Sequence, residues 1–180
     1  MRYFEDFRTG DIHELGTVTV TEEEVLEFAR RYDPQPFHID PEQAKQSPFG
    51  GLIASGFHTS ALFMRRYVDG LLAYSACTGS PGIDEIRYHR PVRPGDTLTA
   101  RIRILGSRPS LGNPATGIVQ PRCELVAPDG TVVFSMILHS IFRRRPAGPS
   151  AESPVSMSAA EDPVPCARES RTRPSAHVPL

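Results

Sequence analysis

Apolar residues recur with two different periods in this chain, and the change of period divides it. In DTLTARIRIL (96–105) they alternate strictly, with Leu98, Ala100, Ile102 and Ile104 on one face and Thr97, Thr99, Arg101 and Arg103 on the other. That alternation predicts a half-buried antiparallel strand. TVVFSMILHSIF (131–142) repeats it through Val132, Phe134, Met136 and Leu138, directly after the turn signal PDG at 128–130. GIDEIRYHRPV (82–92) and GIVQPRCELVA (117–127) are weaker strand candidates. Pro121 puts the latter at an edge or a bulge, because proline cannot donate to a ladder. RPGD at 93–96 and the glycine- and proline-rich 106–117 supply turns, so the C-terminal half reads as a run of antiparallel strands.

The N-terminal half follows the helical period. TEEEVLEFARRY (21–32) opens with Thr21 and Glu24 in capping-box spacing and places Val25, Phe28, Ala29 and Tyr32 on one face. DPEQA (40–44) is a second helix start, with Asp40 as N-cap, Pro41 at the first helical position and Gln43 completing the box. After the flexible FGG at 49–51 comes SGFHTSALFMRRYVDGLLAY (55–74). Its apolar stripe runs Phe57, Ala61, Met64, Val68 and Leu71, widened by Leu62, Phe63 and Leu72. A helix apolar on most sides is a central one. One long buried helix followed by antiparallel strands predicts an α+β fold.

Composition sets the domain boundary. From Pro146 to Leu180 the chain holds seven of its 18 prolines, much Ser and Ala, and no Phe, Tyr or Trp. Such a stretch buries too little apolar surface to offset its ordering entropy, so 146–180 reads as a disordered tail and 1–145 as one folded domain. A formal net charge of -1 excludes a general nucleic-acid binder, whose phosphate contacts demand a basic surface. Cys77, Cys123 and Cys166 are odd in number and widely spaced, which fits a reducing cytoplasm better than a disulfide framework or a metal site. The N-terminal MRYFEDFRTGD lacks the apolar run of a signal peptide, and no segment has the ~20 apolar residues of a membrane span.

The candidate chemistry lies in YDPQPFHIDPEQA (32–44), where three prolines, three acids, two glutamines and a histidine crowd together just after the first helix. Read by itself, the stretch is either a connector, with Asp33 capping a turn and His38 packed, or a proline-stiffened loop that holds the two at a fixed separation. Asp40, directly before Pro41, is a helix cap. Three motifs in order, D-x-x-P-x-H-x-D-P-x-x-A at 33–44, FGGLIASG at 49–56 and RPVRPGDTL at 90–98, resemble the MaoC-like hydratases and dehydratases, relatives of the (R)-specific enoyl-CoA hydratases. The likeness runs over about residues 3–145.

It implies a hotdog fold, an antiparallel sheet wrapped around a long central helix, and a homodimer acting on acyl-CoA or acyl-carrier thioesters. No cofactor or metal is implied beyond the coenzyme A of the substrate. Asp33 and His38 match the family's catalytic pair, and Gly56 matches the glycine whose amide meets the thioester carbonyl. Gln35 stands where the family commonly has Asn, and with Pro36 it shapes the loop.

Enoyl hydration needs these residue types for an independent reason. A base must activate water near C3, an acid must protonate C2, and donors must meet the oxygen that gains enolate charge between the two events. Asp33 and His38, about one water apart, supply the first two roles. The Ser55-Gly56-Phe57 helix start supplies the third through free amides and the positive end of the dipole. Ser55 reads as a cap and His58 as a packing residue. Arg87, Arg90 and Arg93, or Arg143 to Arg145, are either solvated strand arginines or contacts for coenzyme A phosphates. Two alternatives stay open: a thioesterase on the same fold, which would want a carboxylate in the central helix, where only Asp69 near its end is found, and a non-catalytic acyl-binding paralogue, which would be expected to have lost the pair.

Overall fold

The computed structural model describes residues 1–146. Its elements are β1 (Ile12–Thr19), α1 (Glu22–Tyr32), α2 (Pro36–Ile39), α3 (Pro41–Gln46), α4 (Gly56–Gly70), β2 (Cys77–Gly79), β3 (Ile83–Tyr88), β4 (Thr97–Pro109), β5 (Thr116–Val126), β6 (Val132–Leu138) and β7 (Ser140–Arg143). All strand pairings are antiparallel, in the order β1-β4-β5-β6-β3, with β7 joining β2 to β5. The tail expected after Arg145 lies, apart from Pro146, outside the described residues.

The expected α1 capping box forms. At α3, Asp40 caps the helix without the expected box, because the Gln43 side chain donates to the Asp40 carboxylate and the Asp40 amide goes to the Pro36 carbonyl. Thr21 accepts from the Glu24 amide while the Glu24 side chain reaches back to the Thr21 amide, and Asp40 accepts from the amides of Glu42 and Gln43. The expected strands form as well, with two refinements. β5 is not an edge: it lies between β4 and the β6–β7 pair. Pro121 is tolerated there by a bulge, because the β4 register slips between Ile104 and Gly106 opposite it. The run 131–142 is broken at His139, where the chain passes from β6 to β7 while both remain paired with β5.

Sequence reasoning missed β1. Leu15 and Gly16 together face one residue of β4, and Gly16 sits at φ +91°, so a bulge breaks the alternation that would have marked the strand. The stretch 32–44 is also not all loop: a single helical turn, α2, begins at Pro36 in the first helical position and carries His38.

α4 packs into the concave side of the sheet, and here the expected stripe is corrected. Thr59, Phe63 and Tyr67, spaced by four, form the buried face together with His58. Phe63 meets Phe134 at 6.0 Å between ring centres, and Tyr67 reaches Ser140. Phe57, Met64 and Val68 point outward, at 70%, 37% and 39% exposure. The helix is apolar nearly all round, so periodicity alone could not choose between two stripes; the sheet takes the one carrying the larger aromatic volume. Leu71, just past the helix, is the one member of the expected stripe that is fully buried.

Candidate active site

Three backbone connections assemble the site. The Ile53 amide bonds to the carbonyl of Phe37, the Ala54 amide bonds to the carbonyl of Val92, and Arg93 donates to the carbonyls of Phe49 and Leu52. The segment before α4 is therefore held between α2 and the 91–93 strand exit. These ties bring residues 33–38, 52–56 and 88–92 to one place.

His38 is 5% exposed, and its Nδ1 lies 2.8 Å from the carbonyl oxygen of Ile53. A carbonyl only accepts, so Nδ1 carries a hydrogen and Nε2 is the nitrogen left for chemistry. Nε2 lies 3.4 Å from Asp33 Oδ2, beyond ordinary hydrogen-bond length. The pair is closer than a water-wide gap, so no water fits between the atoms. One water at the apex of a triangle can still lie within bonding reach of both.

Asp33 is held by two donors, Ser55 Oγ to Oδ2 at 2.7 Å and Gln35 Nε2 to Oδ1 at 2.8 Å. Partial burial pushes its carboxyl up, but these two hydrogen bonds and the neighbouring His38 outweigh that and hold it below the usual aspartate value. It is ionised at neutral pH. Gln35 folds back onto Asp33, so the longer side chain at this position still braces the carboxylate.

Ser55 is the cap it was expected to be, accepting from the Phe57 amide at 3.2 Å. It is also a link the sequence did not disclose, because the same hydroxyl donates to Asp33, 22 residues earlier. The cap consumes the Phe57 amide and the Phe57 side chain faces outward, so of the expected trio the amides of Ser55 and Gly56 are the two without an acceptor among the described residues. His58 packs as expected, stacked on Phe28 at 4.9 Å with rings 12° from parallel. Burial holds its pKa down, with Glu24 opposing.

A cavity of about 320 Å³ opens beside these groups, lined by His38, Gly56, Thr59, Phe49, Tyr88 and Val92 among others. Asp33 is not among its lining residues, but its Oδ2 lies 3.4 Å from Nε2 of His38, which is one of them. Of the candidate phosphate contacts, Arg90 borders the cavity while pairing with Asp129 at 3.3 Å, Arg87 pairs with Glu85, and Arg93 is committed to the carbonyls that shape the site. Arg144 and Arg145 pair with Glu5 and Asp6 at the N-terminus. No helix among the described residues is long and apolar enough to cross a membrane.

A curved antiparallel sheet wrapped on one central helix, with the start of that helix bordering a largely apolar cavity, defines a hotdog-fold protein. The MaoC like domain matches residues 10–119, and the chain belongs to that family of hydratases and dehydratases. The 3-hydroxyacyl-thioester dehydratase Z of Mycobacterium tuberculosis is 36% identical over 134 residues, 70% of this chain and 83% of the relative. The (R)-specific enoyl-CoA hydratase of Rhodospirillum rubrum is 27% identical over 115 residues, 61% of this chain and 74% of the relative. The crystal structure of a MaoC-like dehydratase from Rhodospirillum rubrum is 35% identical, covering 82% of this chain and 100% of that one, with a TM-score of 0.75.

Proposed function

We propose that the protein adds water across, or removes it from, the 2,3 bond of an enoyl thioester, interconverting enoyl-CoA and the (R)-3-hydroxyacyl-CoA. Support comes first from one observation: Asp33 Oδ2 stands 3.4 Å from Nε2 of His38, which lines a cavity together with Gly56, the first residue of α4. In the hydration direction a water lies against both side chains. Asp33, kept ionised by Ser55 and Gln35, takes a proton as the water oxygen bonds to C3. The electrons of the C2–C3 double bond move toward the thioester, and its oxygen gains charge at the Gly56 amide and the positive end of α4. A proton returned from the Asp33–His38 pair to C2 completes the addition, and dehydration runs the same steps backward. No cofactor takes part, and coenzyme A enters only as part of the substrate.

The handedness and the coenzyme A carrier are carried over from the relatives as named above. The thioesterase alternative finds no support in α4, whose one carboxylate, Asp69, is spent on Arg65 and Arg66 far from the cavity. We also infer a cytoplasmic homodimer, because β3 has a partner on one side only and Tyr88 on that strand walls the cavity. The test is a panel of trans-2-enoyl-CoA and (R)- and (S)-3-hydroxyacyl-CoA substrates, following loss of the conjugated enone and release of free thiol together. Enone loss without thiol, reversed by the (R)-isomer alone, is expected. Thiol release at a matching rate would replace the proposal with a hydrolase.

A further inference from the structure

Tyr88, the last residue of β3, lies directly over the glycine that begins α4. A Cβ placed on Gly56 would come within 2.7 Å of the Tyr88 ring, so the ring rests on the bare Cα of a residue that lines the cavity beside it. The phenol oxygen is 3.1 Å from Ser60 Oγ, and Ser60 donates in turn to the carbonyl of Gly56 at 3.1 Å. With the serine hydrogen spent on that carbonyl, Tyr88 is the donor to Ser60. The ring is thus tied across the first turn of α4 and backed by Phe134 at 5.7 Å, while 47% of the residue remains exposed.

The geometry points to Tyr88 as a specificity-determining residue that restricts bulk at C2 of the acyl group, with Ser60 as its positioning residue. This rests on the thioester reading above. A carbonyl oxygen accepting from the Gly56 amide puts C1 beside Gly56, and a group in van der Waals contact with the Cα of that residue borders C1 and the atoms bonded to it, C2 and the thioester sulfur, of which only C2 can carry a branch. The far end of an acyl chain lies several bonds away. A methyl branch at C2 therefore meets the ring, whereas a straight chain passes it. A wall of this kind rejects one extra methyl group by about 10–200-fold.

Calorimetric titration with butyryl-CoA and 2-methylbutyryl-CoA, which needs no turnover, tests this in wild type, Tyr88→Leu, Tyr88→Phe and Ser60→Ala. Wild type should favour the straight chain by about tenfold or more. Tyr88→Leu should reduce the ratio to about twofold, and Tyr88→Phe and Ser60→Ala, which lose the same hydrogen bond, should fall between and match each other. Indifference of wild type to the branch, or a ratio unchanged by Tyr88→Leu, overturns the assignment. Light scattering accompanies each variant. Should Tyr88→Leu dissociate, the two tether variants decide, and an unchanged ratio in both overturns it. A protein that shows the expected ratios yet hydrates neither crotonyl- nor 2-methylcrotonyl-CoA keeps the wall and loses the hydratase. One that hydrates crotonyl-CoA with a preference blind to residue 88 does the reverse.

Discussion

In the proposed site, the Asp33–His38 pair is positioned by the groups that hold it. Ser55 joins the carboxylate to the helix start, Gln35 braces its second oxygen, and the Ile53 carbonyl fixes the imidazole tautomer, which leaves Nε2 of His38 facing Asp33 Oδ2 at 3.4 Å. Asp33→Asn keeps the size and most of the hydrogen bonding while removing the charge. Turnover should fall about 10²–10⁴-fold while the protein remains folded at pH 7. His38→Gln and the double variant should reach a similar floor, because groups that act as a unit are not additive. Circular dichroism melts beside the enone assay check this, and an inactive but unfolded Asp33→Asn would make Asp33 a structural cap instead. The sign of the acid effect follows from the lowered pKa: Asp33 adds stability above the ordinary aspartate value of 3.8 that disappears as pH falls through its folded value. Asp33→Asn should lack that contribution.

Element by element, the chain discloses periods better than it discloses partners. The capping box of α1, the Asp40 cap of α3 and the alternation of β4 are local facts, and they were legible. β1 was hidden by its own bulge at Gly16, and the buried face of α4 was undecidable because both stripes are apolar. In the candidate site, Asp33, His38 and Gly56 lie in motifs that can be read from sequence, whereas the Ser55–Asp33 bond and the Tyr88 contact join residues 22 and 32 positions apart and leave no spacing to read. Strand pairing likewise creates a charge cluster that no run of sequence shows. Glu124 on β5 is 7% exposed and gripped by Arg101 across the strand at 2.8 Å and by Arg122 at 2.9 Å. Burial pushes its carboxyl up, but Arg122 and Arg101 outweigh that and hold it below its ordinary 4.5. Its stabilising contribution is present above that value and lost as pH falls through the folded one. The deficit of Glu124→Gln in melting temperature should therefore be larger at pH 7 than at about pH 3.5. Gly117 on β5 is a second such place, since an added methyl would run into the buried ring of Phe4. Gly117→Ala should cost about 1–3 kcal/mol in denaturant unfolding.

At the scale of the whole molecule, the apolar residues left outside the core have an address. The sheet has two edges along its main path, β1 and β3, and they differ in kind. β1 is bulged at Gly16 and mostly polar along its exposed positions, devices that discourage pairing with another chain. β3 leaves Ile83, Ile86 and Tyr88 exposed beside a row of unpaired backbone groups. The outward stripe of α4, with Phe57, Met64 and Val68, is a second unburied apolar surface, and Ser60 and Tyr88 join that helix to β3. Water-facing apolar area of this extent marks an interaction surface, and a two-fold pairing of β3 with its own copy would cover the edge and be closed. Light scattering of wild type should return a mass about twice the chain's 19.8 kDa at micromolar concentration. Ile86→Asp should shift that toward the single-chain mass and lower turnover, because Tyr88, two residues along the same strand, walls the cavity. Ile12→Asp places the same charge on the exposed start of β1 and should leave both mass and turnover unchanged. A monomeric wild type, or dissociation by Ile12→Asp with Ile86→Asp intact, would move the interface off β3 and leave the apolar face of α4 without its partner.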